Sequence, residues 1–201
     1  ELSPVDIFRQ GDRIKIYIGA VEESTKFTKT FVSRKSEELL RGLLELEVPE
    51  IYEEIIEIRN IAREAGSRSK VAVYSNDENL DVKGACIGRN GMRIQNIIDE
   101  LCGEKIDIVL WNEDITEFVK NALNPAEVLS VEIIEEGEEN MKVARVLVAE
   151  NQLSLAIGKK GQNSRLAARL CGVKIDIHTE PAEIDGFEEY EEDTAFNDSF
   201  E

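Results

Sequence analysis

Apolar and polar positions along the chain switch between two rhythms, and the order of the switches predicts the same set of elements twice. Residues 12–18 alternate with period two after the turn signal Gln10-Gly11, and a second strand is expected near 29–33. Leu39, Leu40, Leu43 and Leu44 then recur at helical spacing over 36–46, with Ser36 placed to cap the start. Pro49 interrupts, and a short helical turn is expected from Glu50. The β-branched Ile55, Ile56, Ile58 and Ile61 suit a strand to Ala65, with Gly66 as the turn and 70–75 as the answering strand. A short helix at 82–87 leads into the loop Gly88-Arg89-Asn90-Gly91. The helix after it turns Ile94, Ile97, Ile98 and Leu101 to one side, Gly103 stops it, and 105–110 closes the unit as a strand.

The second half repeats this plan. A helix is expected at 114–123, strands at 128–135 and 142–148 around the acidic turn Glu136-Gly137-Glu138, and a short helix at 153–157. The loop Gly158-Lys159-Lys160-Gly161, a helix at 163–171, the stop Gly172 and a strand at 174–177 follow. The letters repeat too. Ala-Cys-Ile-Gly-Arg-Asn-Gly at 85–91 answers Leu-Ala-Ile-Gly-Lys-Lys-Gly at 155–161, and Leu-Cys-Gly-Glu-Lys-Ile-Asp-Ile at 101–108 answers Leu-Cys-Gly-Val-Lys-Ile-Asp-Ile at 170–177. Such self-similarity marks an internal duplication. Units of about 70 residues are marginal alone, and only Trp111-Asn112-Glu113 separates them. The two are therefore expected to pack on each other, with Trp111 in the seam.

Composition alters this picture in three ways. Apolar residues make up 42% and charged residues 33%, a soluble globular balance. The apolar runs, such as Val146-Leu147-Val148-Ala149, are too short to cross a bilayer, and no basic start followed by an apolar stretch suggests a signal peptide. Cys86, Cys102 and Cys171 are odd in number and widely spaced, which argues against a disulfide framework and a paired-cysteine zinc site. All three are expected to be small core residues in a reducing cytoplasm. The formal net charge of −18 weighs against nucleic-acid binding. Ten of the 42 acidic residues lie in 180–201, which has no basic residue; without it the chain keeps 32 acidic against 24 basic residues. Any nucleic-acid surface must then be a local patch.

The two loops offer such a patch. Glycine at both ends lets a four-residue turn approach a ligand backbone without a side-chain clash. The helix that follows presents free N–H groups that favour phosphate. Arg89, Lys159 and Lys160 bring charge into the loops, Asn163 opens the second helix, and Arg93, Arg165 and Arg169 follow on the helices. Bases are expected to lie in the groove between these helices and the neighbouring strand, against Ile87, Ile94, Ile157 and Leu166. The bland alternative is two structural turns in a duplicated scaffold.

Other chemistry is poorly supported. Neither the dinucleotide fingerprint nor the phosphate-loop signature of nucleoside triphosphatases occurs. His178 is the only histidine and has no serine or cysteine partner nearby in sequence. No acidic spacing singles out a metal set or a catalytic pair. Catalytic residues, metals and cofactors are thus not expected. Arg59, Arg63, Arg68 and Lys70 cluster around one hairpin, either extending the nucleic-acid surface or forming a solvated turn. Lys15, Lys26, Lys29, Arg34 and Lys35 give the N-terminal strands a basic tinge. The acidic segment 180–201 reads as disordered, either a solubilising linker or a competitor for basic surface.

Five stretches carry a resemblance: Leu-Glu-Leu-Glu-Val-Pro-Glu-Ile-Tyr at 44–52, Ile-Ala-Arg-Glu-Ala-Gly-Ser-Arg-Ser-Lys-Val at 61–71, Gly-Glu-Lys-Ile-Asp-Ile-Val at 103–109, Asn-Ala-Leu-Asn-Pro-Ala at 121–126, and Gln-Leu-Ser-Leu-Ala-Ile-Gly-Lys-Lys-Gly-Gln-Asn at 152–163. In these the chain resembles the bacterial NusA family of transcription termination and antitermination factors, over most of residues 35–179. The resemblance implies an α+β chain with two tandem KH domains of the prokaryotic α-β-β-α-α-β topology, each a three-stranded sheet with helices on one face. Residues 1–35 would be the last part of an incomplete S-one-type, OB-like RNA-binding barrel, 36–111 the first KH domain, 112–179 the second, and 180–201 an acidic tail. It also implies a cytoplasmic role, with no membrane. That role is binding of nascent single-stranded RNA and modulation of polymerase pausing, termination and antitermination, beside other Nus factors. RNA polymerase would be contacted mainly through a domain absent from this chain. The RNA-binding residues carried over are Gly88, Arg89, Asn90, Gly91, Gly158, Lys159, Lys160 and Gly161. Arg89 stands where relatives usually have proline, Val-Lys-Gly at 82–84 replaces a more usual sequence, and Ser-Glu-Glu stands at 36–38 where Thr-His-Pro is common. A different class of function stays open, an acidic protein-interaction scaffold to which RNA binding is incidental.

Overall fold

The structure is a computed structural model that describes residues 1–25, 27–136 and 141–179. Lys26, most of the acidic turn at 136–138 and the acidic segment 180–201 lie outside the described residues or side chains. An antiparallel hairpin, β1 (Tyr17–Glu23) and β2 (Thr28–Ser33), comes first. The first repeat unit comprises α1 (Glu37–Glu47), α2 (Pro49–Tyr52), β3 (Glu57–Glu64), β4 (Arg68–Tyr74), α3 (Val82–Ile87), α4 (Met92–Glu100) and β5 (Lys105–Leu110). The second comprises α5 (Ile115–Ala122), β6 (Val128–Glu136), β7 (Met141–Val148), α6 (Leu153–Ile157), α7 (Gln162–Cys171) and β8 (Lys174–Thr179).

Each unit builds a three-stranded sheet, in the orders β3-β4-β5 and β6-β7-β8, with an antiparallel first pair and a parallel second pair. Register repeats as well: Lys70 faces Asp107 in one sheet and Arg145 faces Asp176 in the other. Helix α1 starts where Ser36 Oγ accepts from the Glu38 N–H, and its four leucines are buried. They form the first core with Val71, Val73, Cys86, Ile97 and Leu101. Each such side chain contributes about 1.5–3 kcal/mol on leaving water.

The first strand lies later than the alternation predicts, at Tyr17–Glu23 in place of 12–18. It begins at Tyr17 because the backbone just before it is engaged elsewhere. The Lys15 N–H donates to Glu100 at 3.2 Å, and the Lys15 carbonyl accepts from Arg34 Nη1 at 2.6 Å. Arg34 is itself buried and pairs with Asp6 and Glu100, so the segment is tied to the end of α4 rather than to another strand.

The second core crosses the unit boundary. Phe118, Val119, Leu123, Val146, Val148, Leu166 and Leu170 pack with Ala62, Ala72 and Val109, which come from the far face of the first sheet. The small Ala62 and Ala72 let α7 approach that sheet closely. Two partly buried polar contacts fix the approach: Asn60 Nδ2 donates to the Leu170 carbonyl at 2.7 Å, and Lys70 Nζ donates to the Asn124 carbonyl at 3.0 Å. Trp111 sits in the seam, 5.2 Å from the Tyr74 ring edge-on and 6.5 Å from Phe118 between centroids.

Two expectations about side chains change. Arg63 and Lys70 are not on a solvated turn; both are buried, Arg63 against Glu104 and Lys70 against Asp107. The cysteines are not all core. Cys86 is buried and Cys171 half-buried, and burial pushes both thiols up to about 12. Cys102 is exposed at a positive φ of 56° past the end of α4, with Sγ 3.7 Å from Asp6 Oδ1. Among the described residues, no helix is long and apolar enough to cross a membrane.

Candidate nucleic-acid interface

The two loops have nearly the same backbone. Gly88 and Gly158 lie at φ/ψ of 77°/172° and 73°/174°, Asn90 and Lys160 at 55°/24° and 53°/31°, and Gly91 and Gly161 at 74°/11° and 73°/17°. In each, the N–H of the last glycine donates to the carbonyl of the first, at 3.0 and 3.1 Å. The glycines differ in why they are needed. A Cβ on Gly158 would stand 2.8 Å from Asn163 Cβ and 2.9 Å from its backbone nitrogen, whereas none would meet anything within 4 Å on Gly91. The first glycine is thus required by contact and by its positive φ, the last by φ alone. Gly158→Ala is expected to cost about 2 kcal/mol and to weaken RNA binding, checked by thermal melts beside RNA titrations.

Helices α4 and α7 begin directly at these loops, and neither start has a side-chain cap. The first N–H of each helix donates within its turn, Met92 to the Arg89 carbonyl and Gln162 to the Lys159 carbonyl, so what each loop receives from its helix is the positive end of the dipole. Arg89, Asn90, Lys159 and Lys160 are exposed. The helix residues behind them are more occupied. Arg93 Nη1 donates to the Glu50 carboxylate at 2.8 Å and to the Ala85 carbonyl at 2.7 Å. Asn163, five residues after its loop's first glycine as Arg93 is, is buried, and its amide donates to the carbonyls of Leu123, Leu155 and Ala156. Both side chains brace the turn from inside. Arg165 Nε pairs with Glu64 at 2.7 Å, while the more exposed Arg169 lies 3.9 Å from the same carboxylate.

Beside the first loop runs a cleft of about 330 Å³. Ile87 and Ile94 line it, with Ile106 and Ile108 of β5 and with Lys83, Arg68 and Asp107 at its polar edge; Asn124 and Pro125 of the second unit close one end. Arg68 holds Asp107 through two bonds, Nε to Oδ2 at 2.7 Å and Nη2 to Oδ1 at 2.9 Å. Burial raises the Asp107 pKa, but Arg68 and Lys70 outweigh it and hold the carboxyl below its ordinary value. In the second unit Ile157 is partly exposed, but Leu166 is fully buried in the core and does not line a groove. Leu166 lies at a helical spacing that serves the interior, and apolarity alone does not separate the two faces. The contributions of Asp107, Asn124 and Pro125 were not anticipated, although the repeated Lys-Ile-Asp-Ile was a signal for the first. Among the described residues, no group of three or more His, Cys, Asp and Glu side chains could hold a metal ion.

Known proteins share this arrangement. Residues 34–111 match the NusA-like first KH domain and residues 115–184 the NusA-like second KH domain. KH domains are RNA-binding modules whose Gly-x-x-Gly loop clamps the nucleic-acid backbone. The transcription termination/antitermination protein NusA of Bacillus subtilis is 52% identical over 180 residues, covering 90% of this chain and 47% of that protein. The Thermus thermophilus protein of that name is 51% identical over 189 residues, covering 94% and 47%, and the Mycobacterium tuberculosis one is 49% identical over 177 residues, covering 88% and 50%. The chain thus spans about half the length of these relatives. The crystal structure of APE1850 superposes with a TM-score of 0.52 at 24% identity, over 69% of this chain and 96% of that one, a likeness of fold alone. On the two matched domains and these relatives, the chain belongs to the NusA family, as its tandem KH portion.

Proposed function

We propose that this chain is the RNA-binding portion of a transcription elongation factor, which holds nascent single-stranded RNA and modulates RNA polymerase pausing, termination and antitermination. The observation that carries the reading is the pair of loops with matching backbone, each opening an uncapped helix and each edged with exposed polar or basic side chains. In this reading Arg89, Asn90, Lys159 and Lys160 meet phosphates at the positive ends of α4 and α7. Arg93 and Asn163 set the loop shape, Arg165 and Arg169 flank the second loop, and bases stack into the cleft along Ile87, Ile94 and β5. The hairpin β1–β2 is the closing part of an S-one-type barrel. In the cytoplasm the protein works beside other antitermination factors, and RNA polymerase is contacted mainly through a domain other than these. The acidic body fits this role because it suppresses unspecific adhesion to nucleic acid and leaves binding to the local patches.

The test is a titration of the full chain with fluorescein-labelled single-stranded RNA over a salt series. Affinity is expected to fall with salt at a log–log slope of roughly −2 to −3, as for three or four phosphates on a single strand. Absence of binding, or binding indifferent to salt, overturns the reading.

A further inference from the structure

Resting on the reading of the loops as phosphate sites, the geometry points to Glu64 as a built-in stand-in for RNA phosphate: a carboxylate of the first KH domain that occupies Arg165 beside the second loop and yields it when the strand passes. Glu64 ends β3 and reaches across the domain boundary. Its Oε1 accepts from Arg165 Nε at 2.7 Å and lies 3.9 Å from Arg169 Nη1; its Oε2 accepts from Gln162 Nε2 at 2.8 Å. Gln162 follows Gly161 directly, and Arg165 Nη1 donates to the Lys160 carbonyl at 3.2 Å. One carboxylate thus touches the side chains that frame the loop. The hydrogen bond from Arg165 holds its carboxyl below the ordinary glutamate value.

The position suits competition better than structural support. Arg165 is 43% and Glu64 23% exposed in this pair, and exposed ion pairs contribute little to stability. The interface between the domains is already held by Ala62, Ala72 and Val109 in the shared core and by the bonds of Asn60 and Lys70. The turn after Glu64 also lies between the two binding regions: its Ser67 Oγ accepts from Gln162, and its Arg68 lines the first cleft. A strand running from the first cleft to the second loop passes Glu64. The first loop has no such pair at the matching place. There Gln95 stands where the second has Arg165, and it bonds Asp99 on its own helix. Glu64 therefore lowers the affinity of the second loop alone, and lowers it most for short RNA that cannot reach both sites.

The experiment measures binding of a fluorescein-labelled oligoadenylate to the full chain carrying Glu64→Gln, Arg165→Ala or both, by anisotropy at several salt concentrations, with melts in parallel. Glu64→Gln is expected to tighten binding about fivefold and to steepen the salt slope by about 0.7, as for one more phosphate neutralised. The gain should vanish when Arg165→Ala is added. If Glu64→Gln does not fold, Glu64→Asp, whose shorter arm loosens the pair, should give a smaller gain of the same sign. Unchanged or weaker binding, or a gain that survives Arg165→Ala, overturns the inference. Lys159→Asp with Lys160→Asp serves as the control. If that variant binds as the parent does, the reading of the second loop fails; if it loses binding while Glu64→Gln gains none, only the role of Glu64 fails.

Discussion

Reversing the charge of both loops, with Arg89→Asp and Asn90→Asp in the first and Lys159→Asp and Lys160→Asp in the second, is expected to lower affinity for single-stranded RNA about a hundredfold or more while the melting temperature holds. The four side chains are exposed, so no packing is lost. Two of them, Asn90 and Lys160, sit at positive φ, a conformation that aspartate tolerates better than most residues. The loop backbone should therefore survive. What changes is the field at the start of α4 and α7, where carboxylates replace three cations and one amide at the position of the incoming phosphate. Each loop altered by itself should cost roughly tenfold. The effects compound because the domains are fixed to each other, so that one bound site holds the strand near the other. Affinity unchanged by all four substitutions would leave the loops as structural turns.

Glu104→Gln is the second large effect, and it concerns stability. Glu104 is fully buried, and both its oxygens are in use. Oε1 accepts from Arg63 Nε at 2.9 Å and from Ser69 Oγ at 2.6 Å; Oε2 accepts from Arg63 Nη2 at 2.9 Å and from the Gly66 N–H at 2.8 Å. Arg63 in turn donates to the Ser36 carbonyl at the start of α1. An amide of the same shape cannot accept all these bonds, and it leaves the Arg63 guanidinium without a counter-charge in the interior. The expected cost is about 3–5 kcal/mol, a fall of roughly 10 °C in Tm. Because the same network holds the turn that leads into Arg68 at the edge of the first cleft, RNA affinity at that cleft should fall together with stability. A melt that shifts by less than a couple of degrees would show that Arg63 finds another acceptor.

These two substitutions also divide what was legible in the sequence from what was not. The loops were legible because their signal is local and doubled: four residues, the same flanking Ile and Gly, and a helix rhythm after each. The topology followed from the same repetition. The Arg63–Glu104 pair was hidden because its members lie 41 positions apart, and charged residues at a turn ordinarily face water. Arg165 was named as a ligand from its place on a helix, but its partner Glu64 is 101 positions away and belongs to the other domain. Asn163 was named for the same reason, and its amide proves to be turned inward on three carbonyls. In β1 the alternation of Ile14, Ile16 and Ile18 placed the strand too early, since periodicity describes side chains and not where backbone groups find partners. Cys102 stood in the same Leu-Cys-Gly as Cys171, yet one is exposed and the other half-covered. Only the second lies where the two domains meet.

The sharing of Ala62, Ala72 and Val109 with the second core bears on how the protein is made. The ribosome delivers the first domain before the second, and the face of its sheet waits as a template. The later copy completes its own interior only by settling on that template. A gene that kept the second copy alone would encode a fold with one wall missing, so the duplicates cannot be exchanged as free cassettes. They have instead become asymmetric partners in inheritance. Changes at the three small wall residues are constrained by the needs of a domain to which they do not belong.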